Sequence, residues 1–110
     1  MSDLARKDCV PCRGGVPPLD AKRCAELLKQ VDGWAIEQGF HLTKTFKLPD
    51  FATALAFVNR VGAMAEKQGH HPDIHLTWGA VRVEIWTHKI NGLTESNFIF
   101  AARTDECACK

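Results

Sequence analysis

Apolar residues recur at helical spacing in three stretches of this chain and alternate at strand spacing in four others. From Leu19 to Asp32, the residues Cys24, Leu27, Leu28 and Val31 form the stripe of a short helix that Asp20 can cap and Gly33 can close. Trp34 to Glu37 reads as a first strand. Phe40, Leu42, Phe46 and Leu48 share one parity, interrupted by Lys44, so 40–48 reads as a second. Pro49-Asp50 stops that strand and starts the longest helix, Phe51 to about Gln68. One stripe on it is Phe51, Leu55, Val58, Gly62 and Ala65, and a second is Ala54, Phe57, Val61 and Met64. A helix apolar over so much of its circumference has partners on two sides. One is the sheet, and a helix of a second subunit is the candidate for the other.

Gly69 ends that helix. Ile74, Leu76 and Trp78 alternate with His75 and Thr77, and Gly79-Ala80 can turn the chain. Val81, Val83, Ile85 and Thr87 then alternate with Arg82, Glu84, Trp86 and His88. The pattern is a hairpin with one apolar and one mixed face. Asn91-Gly92 closes it, and Thr94 can cap a last helix through Phe98, Ala101 and Ala102. Asn97 takes the third helical position, where Glu or Gln completes a capping box, so a weak box is expected. The order α-β-β-α-β-β-α predicts an α+β fold, a four-stranded antiparallel sheet with three helices packed on one face. The open face would carry His75, Thr77, Arg82, Glu84 and Trp86, and it is a candidate partner surface.

A length of 110 residues fits one domain. Residues 1–18 read as an N-terminal arm, since Arg13-Gly14-Gly15-Val16-Pro17-Pro18 is turn and extended-chain chemistry. Residues 19–104 form the domain, and 105–110 a C-terminal tail. The net charge of +1 gives no strong attraction to nucleic acid or to an anionic membrane. No apolar run approaches the ~20 residues of a membrane span, and Met1 to Asp8 lacks the apolar core of a secretory signal. The expectation is a cytoplasmic protein with mostly reduced thiols.

Four of the five cysteines form two close pairs, Cys9-x-x-Cys12 and Cys107-x-Cys109. If the termini met, four thiolates could hold zinc. The spacing between the pairs is unlike common zinc signatures, which favours reduced, non-catalytic thiols. Cys24 fits a small core residue.

The chemistry concentrates in histidine. Imidazole, with an unperturbed pKa of about 6.5, gives or takes a proton near neutral pH. Three of the five histidines, His70, His71 and His88, fall at the two ends of the second hairpin. Antiparallel pairing sets the start of its first strand beside the end of its second, so His88 is expected to approach His70 or His71. Pro72 biases His71 towards an extended backbone, and neighbours in an extended segment point to opposite sides. A metal held by the three is disfavoured for the same reason, and general acid–base work on a small molecule fits better. Trp34 and Trp78 could line a flat-ring pocket or simply pack in the core. Glu66, one helical turn before the histidines, could orient an imidazole or remain solvated.

Glu66-Lys67-Gln68-Gly69-His70-His71-Pro72-Asp73, the strand Ile74 to Trp78, and Thr87-His88 with Gly92-Leu93-Thr94 resemble the signature of the pterin-4a-carbinolamine dehydratase family. The resemblance spans about residues 18 to 104. Cys9-Val10-Pro11-Cys12 with Gly14-Gly15-Val16-Pro17-Pro18-Leu19 is similar to the arm of bacterial members. It implies a hydro-lyase that removes water from 4a-hydroxytetrahydropterin to give quinonoid dihydropterin, recycling the cofactor of aromatic amino acid hydroxylases. It implies no metal and no bound cofactor, and a homodimer or homotetramer. By the same resemblance His70 and His88 are the acid–base pair, their two roles unassigned, and His71 binds and positions the pterin. Gly69, Trp86, Thr87 and Lys89 align with positions that border the pterin. Pro72, Trp34 and Glu66 complete the candidate substrate-binding set. Three departures stand out. Trp86 replaces a small residue, so its side chain should point away from the pocket or narrow it. Gly69 replaces an acid found in some members, and Asn97 stands where Asp is usual. The resemblance also carries an alternative, a non-catalytic interaction module, since animal relatives bind a homeodomain transcription factor.

Overall fold

The computed structural model describes residues 19–37, 41–87 and 92–108. The chain runs α1 (Ala21–Leu28), β1 (Ala35–Glu37), β2 (His41–Lys47), α2 (Phe51–Gln68), β3 (Asp73–Thr77), β4 (Ala80–Ile85) and α3 (Glu95–Ala108). This is the expected α+β order. The four strands form one antiparallel sheet in the order β1-β2-β4-β3. The two hairpins therefore meet along β2 and β4, which pair from Leu42↔Ile85 to Lys47↔Ala80.

Alternation divides the sheet. Leu42, Phe46, Val81, Val83 and Ile85 face the helices and join one core with Phe57 and Val61 of α2 and Phe98 and Ala101 of α3. Asp50 caps α2 by accepting the Thr53 N–H at 2.7 Å, and this hydrogen bond holds the Asp50 carboxyl below its ordinary range. Lys44 breaks the apolar parity of β2 for a visible reason. Its ammonium reaches the helical side, where it bonds the Asp32 carbonyl (2.8 Å) and Asp105 of α3 (2.9 Å).

Two expectations are corrected in detail. Helix α1 stops at Leu28 rather than Asp32. Gln30 and Val31 donate three residues back, to Leu27 and Leu28, so tighter turns replace the last helical turn before Gly33 at φ 79°. The β3–β4 turn is Trp78–Gly79, not Gly79-Ala80, because Thr77 pairs with Ala80. This lifts Trp78 out of the strand pattern onto the turn, 68% exposed, where it does not pack in the core. The capping box at α3 is half-formed, as its short amide led one to expect, since the Asn97 N–H goes to the Thr94 carbonyl and not to its hydroxyl. Asn97 accepts the Thr94 N–H at 2.8 Å, so the shorter amide still supplies the reciprocal arm. Phe40 lies outside the described residues.

Candidate active site

Helix α2 ends where Gly69 enters the left-handed region, φ 65°, which a side chain would strain. The Gly69 N–H returns to Ala65 and Glu66, and the His70 N–H still reaches the Ala65 carbonyl at 3.2 Å. This wrap turns the chain off the helix within one residue and brings the His70 side chain to α3. There His70 Nε2 lies 2.9 Å from Asn97 Nδ2, and its ring sits 5.8 Å from that of Phe100.

Asn97 is the hub of the arrangement. It is wholly buried in the first turn of α3. Its Oδ1 accepts both the Thr94 N–H and the Thr87 hydroxyl, the latter at 3.0 Å. The Thr94 hydroxyl is 3.3 Å from that of Thr87. With the Thr87 hydrogen directed at Asn97, Thr94 is the donor in that contact. Thr87 is itself buried and exchanges both backbone bonds with Gly92, at 2.9 and 3.3 Å. That pair closes the segment 88–91. His88 and Lys89 belong to it and lie outside the described residues.

The structure thus joins His70 to Thr87, directly before His88 in the chain, through one buried amide. Beside them, His71 Nε2 and Glu66 Oε2 are 3.2 Å apart, both side chains exposed. Gly69 and the half-buried Pro72 flank the two histidines. Two other sequence candidates lie elsewhere. Trp34 Nε1 donates to Asp105 at 3.0 Å, eight residues and about 12 Å along α3 from Asn97. Burial pushes the Asp105 carboxyl up, against the bonds from Lys44 and Trp34. Trp86 faces the helix-free side of the sheet, where its ring stacks on His41 (3.8 Å between centroids, 10° between planes).

On that second face, side chains from three strands form a cluster that alternation alone does not predict. His41 Nδ1 contacts Glu84, and both are buried on the face that none of the described helices covers. Arg82 supplies part of the roof. From β4 its guanidinium crosses β2 to Glu37 on β1 (2.8 Å) and also touches Glu84 (3.5 Å). Asn97 was half-visible in the sequence, since Thr94-x-x-Asn97 has capping-box spacing. Its bond to His70, twenty-seven positions away, was not.

Among the described residues, no three His, Cys, Asp or Glu side chains converge as a metal site. Cys24 is buried, which pushes its thiol up, and the Asp20 charge adds to the effect. Cys107 is half-buried near the end of α3, while Cys9, Cys12 and Cys109 lie outside the described residues. No helix among those residues is long and apolar enough to cross a membrane.

Comparison with known proteins places this chain in a family. Residues 17–107 match the family model described as pterin 4 alpha carbinolamine dehydratase. A protein of Rubrobacter xylanophilus named "Putative pterin-4-alpha-carbinolamine dehydratase" is 52% identical over 105 residues, covering 96% of this chain and 98% of that one. The crystal structure of a transcriptional coactivator/pterin dehydratase from Brucella melitensis superposes with a TM-score of 0.78 at 34% identity, over 83% of this chain and 98% of that one. A pterin dehydratase-like protein identified as a RuBisCO assembly factor in the alpha-carboxysome is similar more distantly. Its TM-score is 0.61 at 27% identity, over 69% of this chain and 89% of that one. With the match spanning nearly the whole described domain, this chain belongs to the pterin 4 alpha carbinolamine dehydratase family.

Proposed function

We propose that this chain dehydrates a 4a-hydroxytetrahydropterin to the quinonoid dihydropterin by histidine acid–base catalysis. As the bond from C4a to oxygen breaks, the hydroxyl takes a proton and departs as water, and a ring nitrogen gives up its own proton. His70 and His88 share those two transfers. His71, oriented by Glu66, helps to position the bicyclic ring. Gly69, Pro72, Thr87 and Lys89 border it, and Trp86 contributes through its backbone, because its ring is stacked on His41. Trp34 has no contact with the pterin in this scheme. The reaction recycles the cofactor of an aromatic amino acid hydroxylase and needs no metal.

The observation that carries the proposal is the hydrogen-bonded line from His70 through Asn97 to Thr87, the residue before His88. It ties the two ends of the hairpin together where the sequence places its imidazoles. The test is the rate of carbinolamine loss with purified protein. The wild-type chain should accelerate it, and His70→Ala and His88→Ala should each lower kcat about 10²- to 10⁴-fold with the fold intact by circular dichroism. Unchanged rates in both variants would remove the assigned roles, and an inert wild-type protein would remove the dehydratase.

One observation favours a second role. Phe51 and Leu55 stand 43% and 42% exposed on the outer stripe of α2. A second copy of the chain, in a homodimer or homotetramer, or a regulatory protein would cover them. Sedimentation of the wild type against Leu55→Glu tests the first, and a monomer in both cases would exclude it.

A further inference from the structure

We propose that Asn97 is a positioning residue that holds His70 as the neutral Nδ1–H tautomer, so that His70 takes up a catalytic proton only once its bond to the Asn97 amide gives way. The hydrogen positions follow from the partners alone. A backbone N–H can only donate, so the Asn97 atom 2.8 Å from the Thr94 nitrogen is the carbonyl oxygen. The Thr87 hydroxyl converges on the same oxygen at 3.0 Å. The nitrogen of the amide therefore faces His70. An amide nitrogen donates and does not accept. His70 Nε2, 2.9 Å away, must be the acceptor and cannot carry a hydrogen. A neutral imidazole with a bare Nε2 has its hydrogen on Nδ1.

Burial enforces this polarity. Asn97 has no solvent to turn to. Reversing its amide would set one N–H donor against another at Thr94, with neither satisfied. The two threonine hydroxyls run in the same sense, Thr94 to Thr87 to Asn97 Oδ1, so the direction is fixed from the obligate donor at the start of α3. While this bond lasts, neither nitrogen of His70 offers a lone pair to the substrate. Nε2 is occupied by the amide, and Nδ1 carries the hydrogen.

A carboxylate in the same place would reverse the result. It accepts only, so it would draw the hydrogen to Nε2 and leave Nδ1 basic. Replacing one NH₂ by oxygen thus decides whether His70 offers a hydrogen or a lone pair. The part His70 plays in turnover rests on the dehydratase reading above, whereas its tautomer does not.

The experiment is ¹⁵N NMR of the imidazoles in the full chain, comparing the wild type with Asn97→Asp above the pH at which imidazole titrates. Pyrrole-type and pyridine-type nitrogens separate widely in shift. His70→Gln, by deleting one of five sets of signals, assigns His70. The wild type should show hydrogen on Nδ1 of His70. In Asn97→Asp the hydrogen should move to Nε2, or the ring should become doubly protonated. Hydrogen on Nε2 in the wild type overturns the proposal, and so does an unchanged Nδ1–H form in Asn97→Asp, since a merely structural amide would leave the tautomer unmoved. A dehydratase assay on the same samples separates the two readings. An inert wild type with the expected tautomer refutes the activity alone, and an active wild type with the opposite tautomer refutes this inference alone.

Discussion

Two histidines on opposite faces of one sheet are held by partners of opposite character. His41, on the helix-free face, is buried between the Glu84 carboxylate and the flat face of Trp86. His70, on the helical side, is only half-buried and is held by a neutral amide. The first imidazole is fixed by a charge and a stacked ring within a roof that Arg82 and Glu37 continue. The second keeps access to solvent and has its hydrogen positioned by hydrogen bonds whose direction is set at the start of a helix. In the proposed reaction the first is a fixture and the second a reagent, and the partners that hold them differ accordingly. The resemblance to a catalytic signature touches His70 and not His41, and the physical contrast points the same way.

The sharpest way to break this contrast is to delete each ring. His70→Ala should lower the dehydration rate about 10²- to 10⁴-fold, whereas His41→Ala should leave kcat within a few-fold and instead lower the stability. An equal loss of turnover in a folded His41→Ala protein would erase the distinction. Next in size is Glu84→Ala, which strips the buried His41 of its partner. Urea denaturation should show a loss of about 1–3 kcal/mol with turnover retained. No loss would mean that the pair is not structural.

Gly69→Ala probes the other site through its backbone. The left-handed φ of 65° should cost about 1 kcal/mol, and any shift of His70 should appear as a reduced kcat with the helix content intact. The smallest effect belongs to Asp105, whose carboxyl burial pushes above its ordinary value. The folded state therefore binds that proton more tightly than the unfolded chain does. Its contribution is complete below the ordinary carboxylate range, near pH 4, and fades as pH rises through the raised value. Asp105→Asn should flatten the pH dependence of the melting temperature over that interval. An unchanged slope would place the titration elsewhere.

Much of this was legible residue by residue. The stripes of α2, the alternation of β4 and the turn chemistry at Gly69 are local, and each appears where the pattern placed it. The misses were long-range. Lys44 looked like an interruption of β2 because its partner, Asp105, lies sixty-one positions away. Trp78 looked like a strand residue because alternation cannot say which two residues will form the turn. Asn97 read only as a weak cap, since an isolated capping box rewards the longer side chain. In the fold the shorter amide reaches back to Thr94 with one atom and to His70 with the other.

The sequence by itself determined the elements, their order and the clustering of histidines at the ends of one hairpin, because periodicity, caps and turns depend on neighbours in the chain. Only the tertiary structure decided which face of the sheet His41 and His70 serve and which partner holds each. Hydrogen-bond polarity is a property of atoms in contact, and here the deciding atoms come from the end of α2, the start of α3 and the segment just after β4.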